Sequence, residues 1–149
     1  MRQVWITARF NTSERRVDGR AMWPLLRGKP RIEVVLFQAI DGCQTTRNLL
    51  ADTGAGSNQA LFDLILEESD CLTCEGNPTG LVQLGGAYSG AFPLYSLRVA
   101  IAQLRFDHNL RVVGVPSVPF GFDGIAGFRF LSGFTYGNFS LLTQFGLEM

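Results

Sequence analysis

The chain has 149 residues, of which 46% are hydrophobic and 17% are charged, a composition typical of a globular protein. Its 13 basic and 13 acidic side chains balance, so charge gives no argument for a nucleic-acid partner or an anionic membrane surface. No apolar stretch approaches the roughly 20 residues of a membrane-spanning helix, and polar residues interrupt any secretion-signal core near the start. We therefore expect a single domain over residues 1–149, located in the cytoplasm, with no nucleic-acid partner and no membrane span.

Strand patterns dominate the first half of the chain. Three segments rich in β-branched and aromatic residues are predicted as strands: Val4–Phe10, Arg31–Ala39 and Thr45–Ala51. Pro24 and Pro30 bracket an irregular connection, so residues 1–30 are expected to form an extra N-terminal strand and its connection. Asp41 and Gly42 predict a hairpin turn between the second and third strands.

The second half continues with short segments between turns. Leu61–Leu66 fits either a short helix or a strand, and Cys71–Gly80 is predicted to be a loop. A short helix is expected over Phe128–Phe134. The remaining strand candidates are Leu81–Leu84, Ala91–Tyr95, Ser96–Arg105, Leu110–Val118 and Phe139–Phe145. Many short strands and 17 glycines predict a mainly β barrel or sandwich.

Cys43, Cys71 and Cys74 leave one cysteine unpaired in any disulfide scheme, which argues against a secreted disulfide framework. Cys71 and Cys74 have the spacing of a metal or redox pair, but the sequence has no second such pair and its one histidine is His108. A closed zinc site needs four ligands. We expect two loop thiols, no metal and no cofactor; a redox or metal role is the alternative.

The stretch LLADTGAGS, Leu49–Ser57, carries a carboxylate from an apolar strand into a turn of small residues. Burying an ionised carboxylate is costly unless it is paired or hydrogen-bonded, so Asp52 is either a turn acid held by backbone donors or a working acid. Gly54 has no Cβ, which lets its N–H approach the carboxylate, and the Thr53 hydroxyl can brace the turn. Both interpretations of Asp52 stay open on the residues alone.

The segment LLADTGA resembles the active-site motif of the retropepsin-like aspartic proteases, the retroviral type and its bacterial relatives. Further along, LVQLGGAYSGAF (Leu81–Phe92) resembles the glycine-tipped hairpin, or flap, that closes over substrate in that family. FDGIAGFRFL (Phe122–Leu131) resembles its later motif, two apolar residues and a glycine before a short helix. The three segments occur in the family order. The resemblance implies a closed, barrel-like acid-protease lobe with a psi-loop, a flap hairpin and a short C-terminal helix.

The resemblance also implies roles for individual residues. The catalytic residues would be Asp52, Thr53 and Gly54. The substrate-binding residues would be Ala55, Gly85, Gly86, Ala87 and Ile125. The psi-loop would contain Gly124, Ala126 and Gly127. In this family two aspartates share one proton around a water; because Asp-Thr-Gly occurs once here, the resemblance implies a homodimer in which each subunit supplies Asp52 to cut a peptide or protein substrate.

The sequence departs from the family pattern near the short helix. Phe128 stands where an arginine commonly follows the motif glycine, with Arg129 one residue later. The family arginine commonly pairs with an acid just after the catalytic turn, but here the first acid after Asp52 is Asp63. The alternative is therefore a catalytically inactive domain of the same fold that serves peptide binding or dimerisation. A phosphoryl-transfer protein, which can also carry Asp-Thr-Gly, would show alternating strands and helices that are not predicted here.

Overall fold

A closed barrel of six strands forms the main body of this computed structural model, which describes residues 19–57, 59–75 and 77–149. The strands are β1 (Arg20–Pro24), β2 (Arg31–Phe37), β3 (Gln44–Ala51), β4 (Leu64–Glu67), β5 (Gly80–Leu84), β6 (Gly90–Ile101), β7 (Phe106–Val115), β8 (Gly124–Ala126), β9 (Thr135–Gly137) and β10 (Gln144–Glu148). The helices are α1 (Glu68–Cys74) and α2 (Phe128–Leu131). The prediction of a mainly β protein with a closed barrel is confirmed.

The barrel strands follow the order β2-β3-β8-β4-β7-β6. The barrel closes because β2, already paired with β3, also pairs with β6 through Val35↔Ala100 and Leu36↔Val99. Alternate residues of each strand point inward, so β2 buries Ile32, Val34 and Leu36 while its other side chains stay half-exposed. β5 lies outside the closed ring and pairs only with β6 among the described strands, as one arm of a hairpin.

β8 lies between β3 and β4, two strands that precede it in the chain. It runs parallel to β3 and antiparallel to β4, with Ile125 opposite Leu50 on one side and Ile65 on the other. Gly124 allows this insertion because a methyl group there would lie 2.5 Å from Leu66 Cδ2 and 2.6 Å from the Ile65 carbonyl oxygen. The insertion places the start of α2 directly beside the end of β3, where Asp52 lies.

A smaller sheet of order β1-β10-β9 packs against the barrel core. Trp23 of β1 and Leu147 of β10 are buried in the same apolar cluster as the inward residues of β2 and β6. At the outer end of the sheet Arg20 forms an ion pair with Glu148 at 3.0 Å. Among the described residues, no helix has the length and apolar character needed to cross a membrane.

Several predicted elements differ from the structure. Cys71–Cys74 lies in helix α1, not in a loop, because Cys71 packs into the core and the loop-forming residues begin only after Cys74. Within Leu61–Leu66 the strand alternative is correct from Leu64 onward. The strand predicted over Phe139–Phe145 begins only at Gln144, the first residue of β10. Phe139 and Ser140 have φ values of 50° and 68°, so residues 139–143 turn the chain from β9 into β10.

The helix predicted over Phe128–Phe134 ends at Leu131. Arg20–Pro24 forms β1, a strand that the sequence pattern did not predict, because its pairing with the distant β10 supplies the hydrogen bonds. The strand predicted over Val4–Phe10 lies outside the described residues.

Candidate active site

Asp52 lies at the end of β3, in a turn closed by backbone hydrogen bonds. Its N–H donates to the Ala126 carbonyl oxygen at 3.0 Å, which ties the turn to β8. The Gly54 N–H donates to Oδ1 of Asp52 at 2.9 Å, and the Ala55 N–H donates to the Asp52 carbonyl oxygen at 3.1 Å. The carboxylate is therefore held in a fixed orientation while the residue remains half-exposed.

A pocket of about 560 Å³ opens above this turn. Asp52 and Gly54 line it together with the tip of the β5–β6 hairpin. All five residues predicted to bind substrate line it: Ala55, Gly85, Gly86, Ala87 and Ile125. Segments separated by tens of residues in the sequence thus meet at one cavity, and Asp52 is the one charged residue among the described residues that line it.

The other predicted site residues lie next to the pocket. Thr53 is exposed beside Asp52 and does not line the cavity. Gly124, Ala126 and Gly127 are buried behind the Asp52 turn. A methyl group on Gly127 would lie 2.9 Å from the Ala55 carbonyl oxygen, so glycine permits the close contact between α2 and the turn.

The hairpin tip lines the same pocket as Asp52. Gly86 has a φ of 65°, a backbone conformation that glycine adopts without strain, and Gly85 has open space where a side chain would lie. Tyr88, the next aromatic residue, packs edge-on against Phe92 with ring centroids 6.3 Å apart. Burial raises the pKa of the Tyr88 phenol, and the nearby Glu67 carboxylate raises it further. Its hydroxyl is buried without a hydrogen-bond partner among the described residues.

Sequence reasoning missed the third wall of the pocket, the loop after β7. Val118 was predicted to end a strand, but β7 ends at Val115 and Val118 lines the pocket. The Val118 N–H donates to Oε2 of Glu67 at 3.2 Å, which anchors the loop to the end of β4. Besides Val118, the lining residues outside the three motif segments are Phe62, Ile65, Pro119 and Phe120, whereas Leu50, Gly56, Gln83, Leu84, Tyr88 and Phe122 lie within the stretches that the sequence singled out. The sequence feature that could have predicted this loop is the pair of prolines, Pro116 and Pro119, within the apolar run after β7.

Helix α2 is fastened to the chain that follows Asp52. The Phe128 N–H donates to the Ala55 carbonyl oxygen at 2.9 Å, and the Gly127 N–H donates to the Asp63 carbonyl oxygen at 3.0 Å. Nε of Arg129 lies 3.5 Å from Oδ1 of Asp63. An arginine–acid pair is therefore present, although it uses the residue after Phe128 and the more distant acid. This pair joins α2 to the segment that follows the Asp52 turn, at positions that differ from those of the family pattern.

The cysteines lie away from the pocket. Cys71 is fully buried, and desolvation raises the pKa of its thiol to about 12, which disfavours the reactive thiolate. Burial also raises the pKa of Cys74. In the ranges that the structure describes, no group of three or more His, Cys, Asp or Glu side chains is arranged to hold a metal ion.

The site combines a backbone-held carboxylate, an apolar cavity and a glycine-rich hairpin tip. One carboxylate can orient or deprotonate a water, and two that share a proton can also protonate the group opposite. No protein-family model, curated protein or solved structure matches the chain. The function is therefore inferred from the geometry and chemistry of the site itself.

Proposed function

We propose that this protein is a retropepsin-like aspartic endopeptidase whose active form is a homodimer. Two Asp52 carboxylates, one from each subunit, would activate a water that hydrolyses a peptide bond. The observation that carries the proposal is the position of Asp52: it lines the same pocket as Gly85 and Gly86 of the hairpin tip, and its carboxylate accepts the Gly54 N–H.

The insertion of β8 between β3 and β4 supports this proposal. It is the arrangement expected of a psi-loop, in which a late strand packs beside the catalytic turn. Asp52 and Ile125 line one pocket although 73 positions separate them, and the hairpin tip of residues 85–87 lines the same pocket. In the proposed enzyme this hairpin is the flap.

Each part of the site has a defined role in the proposed reaction. One Asp52 takes a proton from the water as it attacks the scissile carbonyl carbon. The partner's Asp52, protonated, donates a hydrogen bond to the carbonyl oxygen, and a proton then passes to the leaving amine. Gly54 orients the carboxylate through its N–H. In the proposed dimer, the exposed Thr53 would contact its symmetry mate across the two-fold axis.

The substrate would be an extended peptide held between the Asp52 turn and the hairpin tip. Backbone hydrogen bonds from the tip would hold it as an added strand, and glycines there allow the two backbones to approach closely. The pocket walls include Phe62, Ile65 and Phe122, so they favour an apolar side chain next to the scissile bond.

The Asp52→Asn variant tests the chemistry. Asparagine keeps the size of the side chain and an acceptor for the Gly54 N–H but cannot act as base or acid. We expect cleavage of unfolded protein substrates at about pH 4 to 6 to fall by at least about a hundredfold, with the thermal unfolding midpoint retained. Asp41→Asn, the same change in an exposed turn acid that also precedes a glycine, should leave cleavage unchanged. Cleavage that persists in Asp52→Asn after removal of contaminating proteases contradicts the proposal.

Subunit mixing tests the dimer. When equal amounts of the parent and Asp52→Asn chains are exchanged, we expect about a quarter of the parent activity, since only dimers with two aspartates act. Half of the activity would instead show that each subunit works alone.

A chain that folds and binds peptides but cleaves none would support the inactive alternative.

A further inference from the structure

Two turns with left-handed backbone lie side by side next to the pocket. In the first, Leu26 and Lys29 exchange two backbone hydrogen bonds, each 3.0 Å long. Arg27 and Gly28 between them have φ values of 54° and 74°. Such two-residue hairpin turns favour Asn or Gly at both central positions, so an arginine here is held against its backbone preference.

The second turn belongs to the apolar loop after β7. The Phe122 N–H donates to the Pro119 carbonyl oxygen at 3.5 Å, and Phe120 and Gly121 have φ values of 67° and 76°. Phe120 lines the pocket, yet it remains 66% exposed. A bulky aromatic residue in this conformation is strained, and its exposure to water is also unfavourable. Strain of this kind is concentrated at ligand-binding and catalytic positions.

Cationic side chains of the first turn cover the second turn. Nζ of Lys29 lies 5.8 Å from the centroid of the Phe120 ring. The Arg27 guanidinium approaches Gly121 so closely that a methyl group there would lie 2.8 Å from Cζ. In the described part of the chain neither cation forms a salt bridge, whereas these arginines do: Arg20, Arg31, Arg47, Arg98 and Arg129. The rim of the pocket at Phe120 therefore carries two cations that have no acidic partner within residues 19–57, 59–75 and 77–149.

We propose that Arg27, Lys29 and Phe120 form an outer subsite that binds an acidic side chain of the peptide substrate. The apolar pocket beside it would take the neighbouring apolar side chain, and this inference rests on the proposed endopeptidase function. A carboxylate binds an arginine through two parallel hydrogen bonds and a lysine as a point charge, while the Phe120 ring supports the methylene groups.

The remaining charges at the pocket agree with this assignment. Among the described residues that line the pocket, Asp52 is the one charged side chain, and it would repel a second carboxylate. Glu67, at the end of β4, accepts the Val118 N–H and adds a second negative charge near the loop after β7. Within the described part of the chain, the two facing turns therefore offer an acidic side chain of the substrate cations beside the pocket.

Matched peptides test the preference. Cleavage sites are first located in a proteome-derived peptide library by mass spectrometry, and one cleaved sequence is then synthesised with Glu, Gln or Lys at each flanking position in turn. At one flanking position we expect kcat/KM to be about two- to tenfold higher for Glu than for Gln, and lower for Lys, with the difference shrinking at high salt. Equal kcat/KM values for Glu and Gln at every position overturn the subsite.

Variants assign the preference to the rim. In the double variant Arg27→Gln, Lys29→Gln, the Glu-to-Gln ratio should fall to about one. Arg105→Gln removes the same kind of charge from the exposed turn at the far end of β6 and should keep the parent ratio. A ratio that survives in the double variant overturns the assignment.

Binding measurements separate this inference from the protease proposal. Fluorescence anisotropy of labelled Glu and Gln peptides with Asp52→Asn measures recognition without turnover. Tighter binding of the Glu peptide by about two- to tenfold supports the subsite even if the parent chain cleaves nothing, a result that would refute only the endopeptidase. Equal binding of the two peptides refutes the outer subsite whatever the activity.

Discussion

Arg129 links α2 to the chain segment that follows Asp52 through two separate contacts. Its Nε lies 3.5 Å from Oδ1 of Asp63, and its Nη1 donates to the Ala60 carbonyl oxygen at 2.9 Å. Asp63 is fixed in turn, because its Oδ2 accepts the Arg111 N–H at 3.0 Å. The position of the Asp52 turn thus depends on contacts with α2, which lies more than 70 residues later in the sequence.

Replacing Arg129 should loosen this link. We expect Arg129→Gln to lower the free energy of unfolding by about 1–2 kcal/mol, because the half-exposed Asp63 carboxylate and the Ala60 carbonyl lose a charged donor. Urea unfolding monitored by tryptophan fluorescence measures the loss. Arg105→Gln, an exposed arginine without a salt bridge among the described residues, is the control and should change stability far less. Equal midpoints for both variants would show that the Arg129 contacts contribute nothing.

Gly124 should tolerate no side chain. In Gly124→Ala the new methyl group would lie 2.5 Å from Leu66 Cδ2, 2.6 Å from the Ile65 carbonyl oxygen and 2.8 Å from Leu49 Cδ2. Because one of these atoms belongs to the backbone of the paired strand, β8 must shift, at a cost of about 3 kcal/mol or more. Gly80→Ala, at a strand position with open space, should alter the free energy of unfolding by less than about 0.5 kcal/mol. A stable Gly124→Ala chain would contradict the observed position of β8.

The two tip glycines should respond differently to alanine. Gly86 has a φ of 65°, so Gly86→Ala forces a left-handed alanine and should cost about 1 kcal/mol. Gly85 has no such backbone requirement and nothing within 4 Å, so Gly85→Ala should be close to neutral for stability. Thermal unfolding of both variants checks the difference. If Gly85→Ala proves the more destabilising change, the backbone conformation of the tip is not the one described.

Stability should decline in alkali through Cys71. Burial raises the pKa of its thiol from 9.0 to about 12 in the folded chain, so the folded state favours the protonated form. The stability that folding gains from the protonated Cys71 thiol is fully present below pH 9, the ordinary pKa of a thiol. It is lost progressively as the pH rises toward about 12, the pKa in the folded chain. Parent and Cys71→Ala chains, unfolded in urea at pH values from about 8 to 11, should show a shallower decline for the variant. Parallel declines would contradict the predicted role of this thiol, because the other alkaline groups are present in both chains.

Much of the local structure follows from short-range patterns. The alternation in Ile32, Val34 and Leu36 predicts β2, and Asp41-Gly42 predicts the turn that follows, where Gly42 has a φ of 70°. These features depend on the preferences of a few adjacent residues. Where predictions from short-range patterns were wrong, pairing with a distant strand or a left-handed backbone conformation decided whether the segment forms a strand or a turn. The start of the Phe139–Phe145 segment has apolar residues suited to a strand, yet residues before Gln144 form a turn in which the Asn138 side chain accepts the Ser140 N–H.

The sequence by itself determined that an acid follows an apolar strand into a turn of small residues, and that glycines lie at a hairpin tip. The tertiary structure decided which surfaces meet. β8 lies between β3 and β4, Arg129 contacts Asp63, and the Lys29 ammonium lies near the Phe120 ring at the pocket rim. The physical reason is the range of the interactions. Turn and strand preferences act within a few residues, whereas the pocket walls depend on packing between segments that come together only when the barrel closes.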